Sequence, residues 1–212
     1  MTYQSGEKSK PNNKSDRAGF TLLEMMTSIA LIVMITAIFM ANYRTGNKMA
    51  DLTMTAQKIV SDIHAAQNNT LGLVKYGTVF PAGGWGVNFD MSNNKQYTLF
   101  ADLSQPFSNE LGQTSSADPG SMIYNADQGE GDPSKGARVV DLPAGIIIDS
   151  ISNESKTVYM ANVTFLPPDP TTNIYVDNNA TSTMLKIVLK NQQDNTTKTI
   201  QVNFLGLAEV ID

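Results

Sequence analysis

Between Phe20 and Ala41 the chain reads FTLLEMMTSIALIVMITAIFMA, 22 residues with a single charge, Glu24, and neither glycine nor proline. From Met25 to Tyr43 there is no charge at all. A helix of that length covers about 28 Å at ~1.5 Å per residue, against ~30 Å for the hydrocarbon of a bilayer. The run is apolar all round rather than on one face, which separates it from the amphipathic helices of soluble domains. It predicts a helix able to cross a membrane once, with lipid as the first partner.

Charge is divided sharply around this run. The first 19 residues carry Lys8, Lys10, Lys14 and Arg17 against Glu7 and Asp16, a net of +2. The other 193 residues hold 11 basic and 18 acidic side chains, a net of −7. The positive-inside rule then keeps the basic head cytoplasmic and places the acidic body across the membrane, although Arg44 and Lys48 weaken that bias. An acidic body is a poor match for phosphate backbones, so no nucleic acid is expected as a partner. Cysteine is absent, which excludes disulfide frameworks, thiolate zinc sites and cysteine nucleophiles together.

A cleavable secretory signal has an apolar core of about 7–15 residues followed by a small-residue cleavage site. Here the apolar stretch is longer, and the small residue, Gly19, precedes it. Cutting at Gly19 would discard the basic leader and leave the hydrophobic helix as the new N-terminus. Glu24 then needs a partner, because an ionisable group costs of order 2.5–3.5 kcal/mol at a bilayer centre. Four residues into the run it can snorkel to the interface; within an assembly its natural cation would be a freshly exposed α-amino group at Phe20.

Arg17-Ala18-Gly19-Phe20-Thr21-Leu22-Leu23-Glu24-Met25-Met26 closely resembles the processing signal of type IV pilins and of the pseudopilins of type II secretion. The resemblance implies that a prepilin peptidase cuts between Gly19 and Phe20 and methylates the Phe20 amine. It also implies that Glu24 pairs with the Phe20 amine of a neighbouring pilin or pseudopilin subunit, with an inner-membrane assembly platform as a further partner. Many type IVa pilins bend the membrane helix with a glycine and a proline; Val33 and Ala41 stand at the corresponding positions, so no bend is signalled before Gly46.

Beyond Asn47, Met49, Leu52, Ala56, Ile59, Ile63 and Ala66 recur at spacings of three and four, a helical stripe with Lys48, Asp51, Lys58 and Asp62 off it. Gly46 costs a helix about 1 kcal/mol relative to alanine and allows a hinge or short break there. Gly72 predicts the end. From Val79 onward short β-rich runs alternate with turn residues. Trp85–Asp90 and Gln96–Ala101 flank a turn over 91–95, and further strands are expected at 138–142, 145–151, 157–166, 173–177, 183–190, 197–205 and 207–211.

The predicted fold is therefore α+β: a long N-terminal helix, membrane-spanning then amphipathic, packed on an antiparallel β-sheet domain. Its parts are a leader at 1–19, an assembly helix at 20–43, an amphipathic continuation at 44–72 and a β-rich domain at 73–212. Residues 103–137, rich in Ser, Gly, Pro, Asp and Asn, are expected to form an irregular loop. Its carboxylates around Asp127, Glu130 and Asp132 offer oxygen ligands suited to calcium, but the spacing is not that of an EF-hand, and a solvated loop touching a partner is favoured.

Within the body, Gly83–Phe89, Val163–Pro168 and Val202–Gly206 look like segments of H-type minor pseudopilins and FimT-like minor pilins. Major type IVa pilins usually close their C-terminal region with a disulfide, which a cysteine-free chain cannot form. No catalytic constellation emerges: His64 is the only histidine, and no G-x-S-x-G, H-E-x-x-H or P-loop pattern occurs. The chain reads as a non-enzymatic filament subunit without cofactor or metal, held in the cytoplasmic membrane with its C-terminal domain extracytoplasmic before entering a pilus or pseudopilus. Two rival readings are an uncleaved, membrane-anchored module binding ligand through Trp85 and the 103–137 loop, and a DNA-uptake minor pilin.

Overall fold

The computed structural model describes residues 19–103, 107–108, 114–115, 120–168, 171–177 and 180–211, with the backbone alone at 41–48, 107–108, 114–115 and 180. All but Gly19 of the expected leader, and most of 104–119, lie outside the described residues. The chain is α+β, as the sequence predicts. One helix, α1, is assigned without a break from Leu22 to Leu71, through Gly46. The chain divides into two compact units between Thr45 and Gly46, and each is described by itself.

In the N-terminal unit, residues Leu22–Met40 form a span of mean hydropathy 2.2, none of it buried. Polar side chains within it turn back onto their own helix. The hydroxyls of Thr27 and Ser28 donate to the Glu24 carbonyl at 3.0 and 2.7 Å, and that of Thr36 donates to the Ile32 carbonyl at 2.7 Å. Each hydroxyl is thereby satisfied without water, which a hydrocarbon environment demands.

In the C-terminal unit the stripe seats α1 on the sheets. Leu52, Ala56, Ile59, Ile63 and Ala66 are fully buried, whereas Met49 is 53% exposed, so the buried face starts one turn later than the sequence suggests. Asp62, expected on the solvent side, is buried among them for a reason given below.

The strands are β1 (Gly84–Asp90), β2 (Gln96–Asp102), β3 (Phe107–Ser108), β4 (Thr114–Ser115), β5 (Arg138–Asp141), β6 (Ile146–Ser152), β7 (Thr157–Val158), β8 (Met160–Leu166), β9 (Thr171–Val176), β10 (Ala180–Ser182), β11 (Met184–Asn191), β12 (Thr197–Asn203) and β13 (Ala208–Ile211). A six-stranded sheet runs β10-β9-β8-β1-β2-β5, a five-stranded sheet runs β13-β12-β11-β6-β7, and β3 pairs with β4. Every pairing is antiparallel.

The β1–β2 hairpin closes through a 3₁₀ turn at Met91–Asn93, where the Asp90 carboxylate accepts the Ser92 N–H at 2.8 Å. The single strand expected over 157–166 is two. β7 belongs to the five-stranded sheet and β8 to the six-stranded one, so Tyr159 marks the crossing. Asp177 fixes that crossing by accepting the N–H groups of Tyr159 and Met160. Residues 103–137 are also less irregular than their composition suggests: β3, β4 and 3₁₀ turns at Ala126–Gln128 and Pro133–Lys135 lie within them.

Val87, Phe89 and Val163 from the six-stranded sheet and Ile148, Ile151 and Ile187 from the five-stranded one join the helix stripe in a single buried cluster. The end of α1 is clamped into it. The Thr70 hydroxyl donates to the Phe165 carbonyl and accepts the Trp85 N–H, both at 3.0 Å, bridging helix, β1 and β8.

Candidate processing and assembly site

Gly19 is exposed and precedes the helix, and a Cβ built on it would meet no atom within 4 Å. Neither packing nor a left-handed backbone calls for glycine at this position. Phe20 is 79% exposed. The helix then starts under its own cap. The Thr21 hydroxyl accepts the Glu24 N–H at 3.2 Å, and the Thr21 carbonyl accepts the Met25 N–H at the same distance. Thr21-Leu22-Leu23-Glu24 has the T-x-x-E spacing of a capping box, a signal that is present in the sequence. Glu24 lies in the first turn, where its charge complements the helix dipole.

Gly19, Phe20 and Glu24 thus sit within one exposed helix entry. Among the described residues no ion pair reaches the Glu24 carboxylate.

The other polar clusters are internal fittings. Asp62 is 3% exposed yet partnered: from β2 the Tyr97 hydroxyl donates to it at 2.7 Å, from β5 the Arg138 guanidinium forms a close ion pair, and Lys58, one turn earlier on α1, approaches to 3.2 Å. Burial first, and then the bond to Asp62, pushes the Tyr97 phenol far above its ordinary value. Glu154 accepts the Ser182 hydroxyl, the Thr183 hydroxyl and the Thr183 N–H; these bonds, led by the Thr183 hydroxyl, lower its carboxyl to about 2.

The acidic run over 127–132 does not converge on a shared point. Glu130 turns inward toward Asp102, while the Ser134 hydroxyl and N–H hold Asp132 below its ordinary value. No cluster of three metal-ligating side chains exists among the described residues. Trp85, offered by one rival reading as a ligand platform, is 1% exposed, and its indole N–H donates to the Val74 carbonyl at 3.0 Å. It is a core residue. His64 is half-buried on α1.

Compared with known protein families, residues 14–40 match the model of the prokaryotic N-terminal methylation motif. That match supports reading the N-terminus as that of a type IV pilin-like prepilin. Prepilins of this kind are structural rather than catalytic, and the motif implies processing by prepilin peptidase and assembly with other pilins. The motif and the apolar helix together fit membrane anchoring. No curated protein and no solved structure matches the chain.

Proposed function

We propose that this prepilin is a minor pilin or pseudopilin of a type IV pilus or a type II secretion-like filament, cut between Gly19 and Phe20, methylated at Phe20 and assembled through its N-terminal helix. One observation carries the reading. The matched segment ends in a 19-residue apolar helix that nothing among the described residues covers, preceded by a glycine that neither packing nor backbone conformation requires there. A surface of that size is stable only in lipid or against other helices. The cytoplasmic membrane holds the precursor, with the C-terminal domain extracytoplasmic and the assembly platform drawing on this pool.

Helix burial drives association, and the Glu24–Phe20 pair chiefly fixes register, because a misaligned neighbour leaves a buried charge unpaired. The resemblance of 83–89, 163–168 and 202–206 to H-type pseudopilins and FimT-like minor pilins supports a minor subunit, as does a β domain closed without cysteine.

Glu24→Ala separates processing from assembly. In the native host the variant is cut at Gly19 to the same extent as wild type, while its share in sheared filament or pseudopilus fractions falls at least about tenfold, a coupling of ~1.4 kcal/mol or more. Normal incorporation of the variant contradicts the pairing.

A further inference from the structure

Strand alternation gives the six-stranded sheet two different faces. Val87, Phe89, Tyr97, Leu99 and Val163 point into the buried cluster that seats the helix stripe, so Asn88, Asp90, Gln96, Thr98 and Asn162 point to the opposite side. There the pairings of Asn88 with Asn162, Asn88 with Thr98 and Thr98 with Val139 set one row of side chains across β8, β1, β2 and β5. Asn162, Asn88 and Thr98 are almost fully buried in that row, whereas Val139 at the sheet edge is exposed.

A cavity of about 140 Å³ opens on this face. Asn88, Asp90, Gln96 and Thr98 line it, with Asn93 from the hairpin turn and Tyr124 from the segment that follows residue 120 at its borders. Both borders are fixed. The Tyr124 ring packs on Phe100 with centroids 5.3 Å apart, and the Tyr124 N–H donates to Asn162 Oδ1 at 3.1 Å. Asp90 holds the turn by accepting the Ser92 N–H and hydroxyl through Oδ1.

The lining carries hydrogen-bonding capacity that the fold leaves unspent. Asn88 Nδ2 donates to Asn162 Oδ1 at 2.9 Å, which orients the carboxamide, while among the described residues nothing donates to Asn88 Oδ1. The Thr98 hydroxyl and the Asn93 and Gln96 carboxamides make no hydrogen bond among the described residues, and Ser92 uses only Oδ1 of Asp90. Asn88 and Thr98 are each 5% exposed, a depth at which polar groups left unpaired are costly.

These groups select a chemistry. Asn88 Oδ1 and Asp90 Oδ2 require donors, the amide N–H groups of Asn93 and Gln96 require acceptors, and Thr98 serves as either. Neighbouring hydroxyl groups meet both demands at once. An ammonium ligand supplies donors alone. An anion supplies acceptors alone and faces Asp90, with Asp141 paired to Gln96 beside it and no cationic side chain in the lining. Size narrows the class further: a cavity of ~150 Å³ holds benzene, so about 140 Å³ takes one six-membered ring. Val139, also in the lining, offers the C–H face of such a ring an apolar contact.

We propose that this cavity is a binding site for one neutral pyranose ring of a glycan. Asn88 and Asp90 accept from its hydroxyl groups, Asn93 and Gln96 donate to them, and Thr98 does either. The site lies within the C-terminal unit on the face opposite the helix stripe, so binding does not compete with the contacts that seat α1.

The test is a nuclear magnetic resonance titration of the full-length chain in phosphocholine micelles, whose headgroup carries no sugar. Glucose, galactose, mannose and N-acetylglucosamine are each added to ~100 mM, because a single ring at ordinary ligand efficiency binds with a Kd of about 1–10 mM. At least one of the four should shift the side-chain amide signals of Asn88, Asn93 and Gln96 saturably. Glucuronate, which adds a carboxylate, should bind at least about tenfold more weakly than that sugar. Asn93→Ala and Gln96→Ala, both outside the hydrophobic core, should each weaken binding by about 3–10-fold. No saturable shift at these amides with any of the four sugars, equal binding of glucuronate, or unchanged affinity in both variants overturns the site.

Discussion

Replacing Asp62 with alanine removes a buried charge that α1 presents to the β domain. Its three partners lose different amounts. Lys58 and Arg138 have side chains about half exposed and can be rehydrated, so each loses only ~0–1 kcal/mol. The Tyr97 hydroxyl belongs to a residue 2% exposed and has Asp62 as its acceptor, so stranding it costs about 1–3 kcal/mol. The sum is about 1–5 kcal/mol, which for a chain of this size lowers the melting temperature by about 2–20 °C. Trp85, the only tryptophan and fully buried, supplies a fluorescence signal for unfolding of full-length protein in micelles.

Tyr97→Phe alone should cost about 1 kcal/mol, because Asp62 keeps Arg138 and Lys58. Added to Asp62→Ala it should restore about 1 kcal/mol, since it deletes the stranded hydroxyl. Two strictly additive losses would refute the reasoning, showing that Tyr97 finds another partner and that the pair is not coupled.

Glu154 makes stability depend on acid. Its folded-state carboxyl, lowered from 4.5 to about 2, contributes stability that is present above 4.5 and is lost as pH falls through about 2. Glu154→Gln should therefore flatten the acid limb of the Trp85-monitored stability profile between those values; an unchanged limb counts against the three hydrogen bonds. Gly84→Ala should destabilise by at least about 2 kcal/mol in the same unfolding assay, because φ is +80° and the added Cβ would stand 1.8 Å from the Phe165 carbonyl oxygen. A near-neutral result would mean that β1 and β8 can separate locally.

The fold was legible where periodicity is strong. Leu52, Ala56, Ile59, Ile63 and Ala66 announce a buried helix face, and the β1–β2 hairpin follows from alternation on either side of Asn93-Asn94. What escaped were features set by distant partners. Asp62 looked like a surface charge because its neutralising Arg138 lies 76 residues away. The break at Tyr159 depends on Asp177, and the turns within 120–137 depend on Asp102 and Tyr76, none of which a local pattern can reveal. At the N-terminus the position is reversed. Gly19, Phe20 and Glu24 stand out in the sequence, while all three are exposed and, among the described residues, no partner is seen for the Phe20 and Glu24 side chains; the proposed processing and pairing would use them outside the single chain. The Thr21 cap is visible in its hydrogen bond to the Glu24 N–H, and the T-x-x-E spacing is its signal in the sequence.

The central claim is tested most directly by the intact mass and N-terminal sequence of the protein recovered from membranes of its native host. The account predicts a chain that begins with N-methylated Phe20 and lacks residues 1–19. A chain still carrying Thr2 to Gly19 in cells with an active prepilin peptidase would contradict it.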